Sequence, residues 1–388
     1  TGRAGAKTYR RHSVEDQPTE KNRISMFKRE VWRNFDFWLF GAVIFLIIFG
    51  IMMIRSSIAG NIELAGYVKR QTTFAGIGFG VMVIASLIDY HYWRSFSKLM
   101  YIVVILFLGV ILIAGKTSFG AQRWLEVGLV NIQPAELSKI VLILVLADYF
   151  AKNYRKEKNI KWMVISLLIV AGMVVQIVLQ PNLSSSILLM VIWFSMLWIS
   201  GLPPKYIIYM GLAAIIMGVA AFPFLEDYQQ ERITTFLFPD PNARYGNTYN
   251  IEQALITIGS GGLLGEGYGH GTQVQLRFLK VRTTDYIFSA MAEEFGFVGT
   301  IMIIALLAFV IIRCLRAART VKDHYGAMIA YGFATLIFFQ TVVNIGVNLK
   351  LIPVTGQTLP FISYGGSSLL SLMLGIGLIE SVLMHQNK

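Results

Sequence analysis

Ten apolar segments, near residues 35–54, 72–88, 97–115, 135–151, 161–179, 184–200, 206–223, 286–312, 325–347 and 366–384, leave this chain few ways to fold. Each approaches the roughly 20 residues that cross a hydrocarbon layer as a helix. No water reaches a backbone at that depth, so every N–H and C=O has to bond within the segment itself. The expectation is an all-α integral membrane protein of about ten transmembrane helices. Composition agrees, with 55% of residues hydrophobic and only 14% charged. The segments at 184–200 and 206–223 are parted only by Gly201-Leu202-Pro203-Pro204-Lys205 and can also be read as one kinked pair.

An even number of spans puts both termini on one side. With the ends placed in the cytoplasm, 22 of the 34 Lys and Arg residues fall on inside flanks and 11 on outside loops, Lys139 lying within a helix. That bias follows the positive-inside rule. Residues 1–34 then read as a basic cytoplasmic tail without the apolar core of a cleavable signal. Residues 35–385 form one polytopic membrane domain, and 224–285 a long loop on the outer side. The net charge of +12 is scattered between apolar runs, so it points to topology and membrane lipids, with no basic patch suited to nucleic acid. The lone Cys314 can form no intrachain disulfide.

Four polar clusters fall on the outer side of this topology. The first is Gly120-Ala121-Gln122-Arg123-Trp124 followed by Gln133-Pro134-Ala135-Glu136-Leu137-Ser138-Lys139. Pro134 suits a first helical turn, Glu136 suits the positive end of the helix dipole, and Glu136 and Lys139 at i, i+3 can meet on one face. They are either a self-satisfied ion pair or part of a site; Lys139, a full turn into the span, has to face protein or water. The second, Gln180-Pro181-Asn182-Leu183-Ser184-Ser185-Ser186, reads by itself as a turn with a serine cap. The third is the long loop, with Arg232, the glycine-rich run Gly259-Ser260-Gly261-Gly262 to Gly267, and His270. Glycines can bring N–H groups to a phosphate, but no Walker-type Lys-Ser/Thr follows, and simple flexibility is the plainer reading. His270 lacks partners at metal-ligand spacing. The fourth, Pro353 to Ser368, enters the last helix, where small residues suit close packing or close substrate approach.

The long loop closes on Thr283-Thr284-Asp285-Tyr286-Ile287-Phe288, which sets a carboxylate at a membrane surface as an apolar helix begins. Glu293 and Glu294 follow inside that helix, where acids are expensive and usually functional. The plain alternative for Asp285 is a helix N-cap shared with Thr284.

Taken together, the first two clusters, the Gly259–Gly262 run, Thr284-Asp285-Tyr286-Ile287-Phe288 with Ala292-Glu293-Glu294-Phe295-Gly296, and Ile362-Ser363-Tyr364-Gly365-Gly366-Ser367-Ser368 resemble the shape, elongation, division and sporulation family over about residues 35–385. Gly271-Thr272-Gln273-Val274-Gln275-Leu276-Arg277-Phe278-Leu279 leans to its elongation branch. The resemblance implies a peptidoglycan glycosyltransferase. Such an enzyme polymerises lipid II, the undecaprenyl-pyrophosphate disaccharide-pentapeptide, at the outer face of the bacterial cytoplasmic membrane. It also implies a class B penicillin-binding protein transpeptidase as partner. By the same carry-over Asp285 is the catalytic residue, Glu136 and Lys139 a functional polar pair, and Arg232 part of an arginine-threonine-phenylalanine stretch. Two departures stand out: Asn182 and Ser184 replace the usual aspartate and glycine, and Lys280 and Val281 replace a proline and an acid.

Chain growth needs a base to take the proton of the attacking 4-hydroxyl, and Asp285 is the candidate. Desolvation should raise its pKa while Arg282 pulls it down. The charge of the departing pyrophosphate calls for cations, drawn from Arg123, Lys139, Arg232 and Arg282, with Ser363 completing the substrate-binding candidates. A divalent magnesium or manganese ion could share that task. Two other readings remain open at this level: a lipid II flippase using the intramembrane acids as stations, and a non-catalytic scaffold for the transpeptidase.

Overall fold

The computed structural model describes residues 33–386 except 59, 115, 119–120, 128–129, 155–158 and 240–245, with backbone alone at 63 and 114–132. The basic tail expected over 1–34 lies almost wholly outside these residues. The helices, in chain order, are α1 (Phe37–Ile58), α2 (Gly66–Leu87), α3 (Tyr90–Ala114), α4 (Pro134–Lys152), α5 (Ile160–Leu179), α6 (Leu183–Ile199), α7 (Pro204–Ala221), α8 (Asp227–Leu237), α9 (Gly246–Ser260), α10 (Thr272–Gln275), α11 (Ile287–Thr320), α12 (His324–Asn348) and α13 (Gly366–Met384). All but α8, α9 and α10 fall on the ten apolar segments. Among the described residues, seven helices are long and apolar enough to cross a membrane by themselves. Polar residues interrupt α2 and α4, and α6 is only 17 residues long. The stretch 200–203 separates α6 from α7 as two helices, with Gly201 turning at φ +97° ahead of Pro203 and of Pro204, which begins α7.

Local chemistry sets the helix ends. Asn159 accepts from the N–H of Trp162 at 3.0 Å to start α5, and Asp323 accepts from Gly326 at 3.0 Å to start α12. Pro134 and Pro204 occupy first turns, where a missing N–H costs nothing. The fold is helical with one addition that hydropathy did not foretell. Strands β1 (Lys116–Ser118), β2 (Ala121–Val127) and β3 (Val130–Ile132) form a small antiparallel sheet ahead of α4. Arg123 sits in β2 by its backbone, and its side chain lies outside the described residues.

α12 and α13 are mostly buried and form the centre of the bundle, whereas α7 has no buried residue and stands at its rim. α13 lies against α2 closely enough that a Cβ on Gly377 would come within 2.5 Å of the Met82 carbonyl oxygen. α11 is broken at Gly296, whose φ of +66° departs from the helix. The break exposes backbone groups that the glycine-rich run satisfies. The N–H groups of Glu266 and Gly267 donate to the carbonyls of Glu293 and Glu294, at 2.9 and 3.0 Å. Phe297 and Val298 in turn donate to the carbonyls of Gly262 and Leu263, at 2.9 and 3.1 Å. Contact this close tolerates no side chain: a Cβ on Gly261 would lie 2.0 Å from the Ala292 oxygen. The glycines are therefore neither a phosphate cradle nor loose chain, but a backbone clasp around a broken helix.

Candidate functional site

Asp285 sits one residue before the Tyr286 N-cap of α11, and no side chain caps that helix. The capping explanation for Asp285 is therefore not what the structure shows. Its own carbonyl is turned into the protein, accepting from Asn344 Nδ2 at 3.2 Å and Asn348 Nδ2 at 2.8 Å, both in the last turns of α12. Asn348 Oδ1 also accepts from the backbone and hydroxyl of Ser289 at 3.1 and 2.7 Å, locking α11 to α12 at this point. The backbone beneath the carboxylate is thus held by two amides at i, i+4. Sequence reasoning passed over these amides, though Gln340, Thr341, Asn344 and Asn348 are polar residues in an apolar helix, where each needs a partner.

The cation beside Asp285 is Arg232, from α8. Gly356, in the left-handed region at φ +74°, lies at the seam between them: a Cβ there would come 3.9 Å from Asp285 Oδ2 and 4.0 Å from Arg232 Nη1. Arg232 donates to the Val354 carbonyl at 3.4 Å and lies over the Tyr228 ring at 5.6 Å. Tyr228 donates to the Pro181 carbonyl, and Ser184 Oγ donates to the Thr355 carbonyl. The second, third and fourth sequence clusters therefore do converge on one face. Asn182 caps α6 through Ser185 N at 3.3 Å, a task an uncharged side chain performs as well as an aspartate.

Surrounding protein desolvates the Asp285 carboxyl and pushes its pKa up to about 6, with Arg232 and the Thr284 hydroxyl pulling the other way. The expectation that Arg282 supplies this pull is corrected. Arg282 is buried and donates to the carbonyls of Ser57, Ile58 and Leu279, closing the C-terminal end of α1, where a cation meets the negative end of the dipole. Burial and nearby Arg277 lower its pKa. Sequence proximity suggested one neighbour for Asp285, and folding supplied another.

Ser363 is a strut. Its hydroxyl donates to the Thr284 carbonyl at 2.9 Å and accepts from Leu359 N at 2.8 Å, while Tyr364 N donates to the Thr283 carbonyl at 2.9 Å. Glu136 and Lys139 meet as their spacing predicts, at 2.6 Å, both buried near the start of α4. Gln133 N donates to Ser367 Oγ at 3.1 Å, which ties that helix start to the start of α13. Glu293, by contrast, accepts from Gln273 N and Val274 N at 2.7 and 3.1 Å and so holds the α10 turn in place.

A family model described as cell cycle protein, covering FtsW, RodA and SpoVE, matches residues 37–388. The chain belongs to this family. Among curated members it is 34% identical to the peptidoglycan glycosyltransferase MrdB of Escherichia coli K12, covering 88% of this chain and 91% of that one. It is 35% identical to the stage V sporulation protein E of Bacillus subtilis, over 81% and 86%. Among solved structures, one from a study of structural coordination of polymerization and crosslinking by a peptidoglycan synthase complex superposes with a TM-score of 0.78. The identity is 27%, covering 91% of this chain and 99% of that one. The rod shape determining protein RodA of Thermus thermophilus gives 0.69 at 27% identity, over 91% and 98%. The solved RodA of Thermus thermophilus shares this helical fold, and the chain is a multi-pass membrane protein.

Proposed function

We propose that the chain is a peptidoglycan glycosyltransferase that polymerises lipid II, with Asp285 as general base. Family membership and relatives named for that activity support the reaction. The observation that carries the mechanism is a desolvated carboxyl, its backbone pinned by Asn344 and Asn348 and its side chain faced by Arg232. A base with a pKa near 6 is ionised at neutral pH yet basic enough to take a proton as the sugar hydroxyl attacks the anomeric carbon. Inversion at that carbon needs no covalent enzyme intermediate. Arg232 is the cation placed to meet charge developing on the pyrophosphate, while Asn344, Asn348 and Ser363 hold the loops that carry the reacting groups.

Among the described residues, no three His, Cys, Asp or Glu side chains converge as a metal site. A magnesium or manganese ion, if one takes part, would supply further positive charge for the departing pyrophosphate beside Arg232. The polymerase reading is favoured over a flippase because the intramembrane stations are engaged by protein groups: Glu136 with Lys139, Glu293 with the backbone of Gln273 and Val274, and Glu294 with the Ser56 hydroxyl.

The proposed setting is the bacterial cytoplasmic membrane, with Asp285 outside, both termini inside and a class B penicillin-binding protein as partner. The complex in which the structural relative was studied supports that partner. The role in cell elongation rests on the RodA relative and is tested by depletion: rods should round up, whereas filaments would assign it to division. Incubating purified lipid II with the protein and its transpeptidase, penicillin-blocked, should give glycan ladders on a gel. Their absence from a folded complex, with lipid II moving across vesicle bilayers instead, would replace a polymerase with a carrier.

A further inference from the structure

We infer that the face opposite Asp285 carries a binding site for an anionic phospholipid, in a cavity between the start of α1 and the end of α11. The cavity holds about 530 Å³, and its lining includes Arg33, Asp36, Trp38, Arg313 and Arg316. Charge in it is unbalanced. Asp36 Oδ2 is taken by Arg313, with N–O distances of 2.5 and 2.6 Å, and Asp36 Oδ1 accepts from Leu39 N at 3.0 Å. Asp36, the one acid lining the cavity, is thereby neutralised; buried Glu380 behind it accepts from Asp36 N at 2.9 Å, and Arg33 and Arg316, both exposed, face the cavity with no ion-pair partner among the described residues. Two guanidiniums are a natural fork for phosphate oxygens.

What distinguishes a lipid from a free phosphate is the wall below. Phe37 and Trp38, 65% and 75% exposed, sit at the end of a span, the level at which aromatic side chains meet the headgroups. From Trp38 an exposed strip runs down α1 through Gly41, Phe45, Ile48 and Met52. Nothing lies within 4 Å of where a Gly41 Cβ would be, so the strip is open at that position. Cations above a continuous apolar strip match a phosphate above an acyl chain. The cation-rich side of the chain is also the side expected to face an anionic leaflet, so the ligand is a phospholipid with net negative charge.

The test uses the full chain in detergent, with dioleoylphosphatidylglycerol, dioleoylphosphatidylcholine and inorganic phosphate as probes. Phosphatidylglycerol should raise the unfolding midpoint and persist as bound lipid in native mass spectra, whereas the other two should not. Arg33→Gln with Arg316→Gln should weaken that binding roughly 25-fold, about fivefold per cation, and the paired Lys replacements should keep most of it. Wild-type retention in the Gln pair, or an equal response to phosphatidylcholine, overturns the proposal; an equal response to phosphate reduces the site to an anion pocket and overturns its lipid assignment. Should the double variant fold poorly, bound-lipid counts for Arg316→Gln alone decide between the same outcomes.

Discussion

A carboxyl with a pKa of about 6 makes its own kinetic signature. If Asp285 is the base, the rate should fall on the acid side with a midpoint near pH 6, to roughly a tenth of its plateau at pH 5. Arg232 lowers that pKa, so Arg232→Gln should shift the acid limb to higher pH as well as reduce the rate. An unmoved limb would mean the titrating group lies elsewhere. The Glu136–Lys139 pair permits a second test. Leaving either charge alone in this buried position costs about 3–5 kcal/mol, whereas replacing both with uncharged residues of similar size is close to neutral. Lys139→Met should therefore lower the thermal midpoint sharply, and Glu136→Gln with Lys139→Met should restore it. If activity stays lost in the refolded double variant, the pair acts on substrate as well as on the fold. Asp285 and this pair were legible because their spacing and depth are local properties of the chain. Arg282 was misjudged for the converse reason: three residues of sequence placed it beside Asp285, but its long side chain found the open carbonyls at the end of α1 instead.

At the scale of elements, the clasp between the glycine-rich run and the break in α11 separates glycines that look alike in sequence. Gly261→Ala forces a Cβ into the Ala292 carbonyl and should cost well over 2 kcal/mol or abolish expression. Gly259→Ala, two residues earlier and inside α9, meets nothing within 4 Å and should stabilise by about 0.5–1 kcal/mol through helix propensity alone. Thermal midpoints of the two variants check both signs at once, and equal effects would deny the clasp. Val281, β-branched at φ +51°, offers a strained counterpart just ahead of Asp285. Val281→Gly should relieve about 1 kcal/mol there. Helix positions were legible because apolar length and caps are written along the chain. The break at Gly296 was not, because it depends on a partner segment some thirty residues away that satisfies both broken ends.

For the whole molecule, each of the ten apolar segments coincides with a helix among the described residues, seven of them long and apolar enough to span, but hydropathy did not say which are central. The packing of α13 on α2 depends on small residues such as Gly78 and Gly377 where the two helices meet, and α7, whose Gly211 and Gly218 meet nothing, stands apart despite comparable hydropathy. The proposed orientation rests on charge bias and can be tested chemically, since the single Cys314 is fully buried and should stay silent. Leu276→Cys, on an exposed position of the long loop, should react with an impermeant maleimide in intact cells, and Arg319→Cys only after permeabilisation. The reverse pattern would invert the topology and place Asp285 on the side away from the growing wall. The most direct measurement compares glycan-strand synthesis by wild type and Asp285→Asn, each in complex with its transpeptidase and supplied with the same lipid II. Ladders are expected from the wild type, with a loss of about 10²- to 10⁴-fold in the variant at unchanged complex yield. Ladders of equal intensity from both would contradict Asp285 as the base.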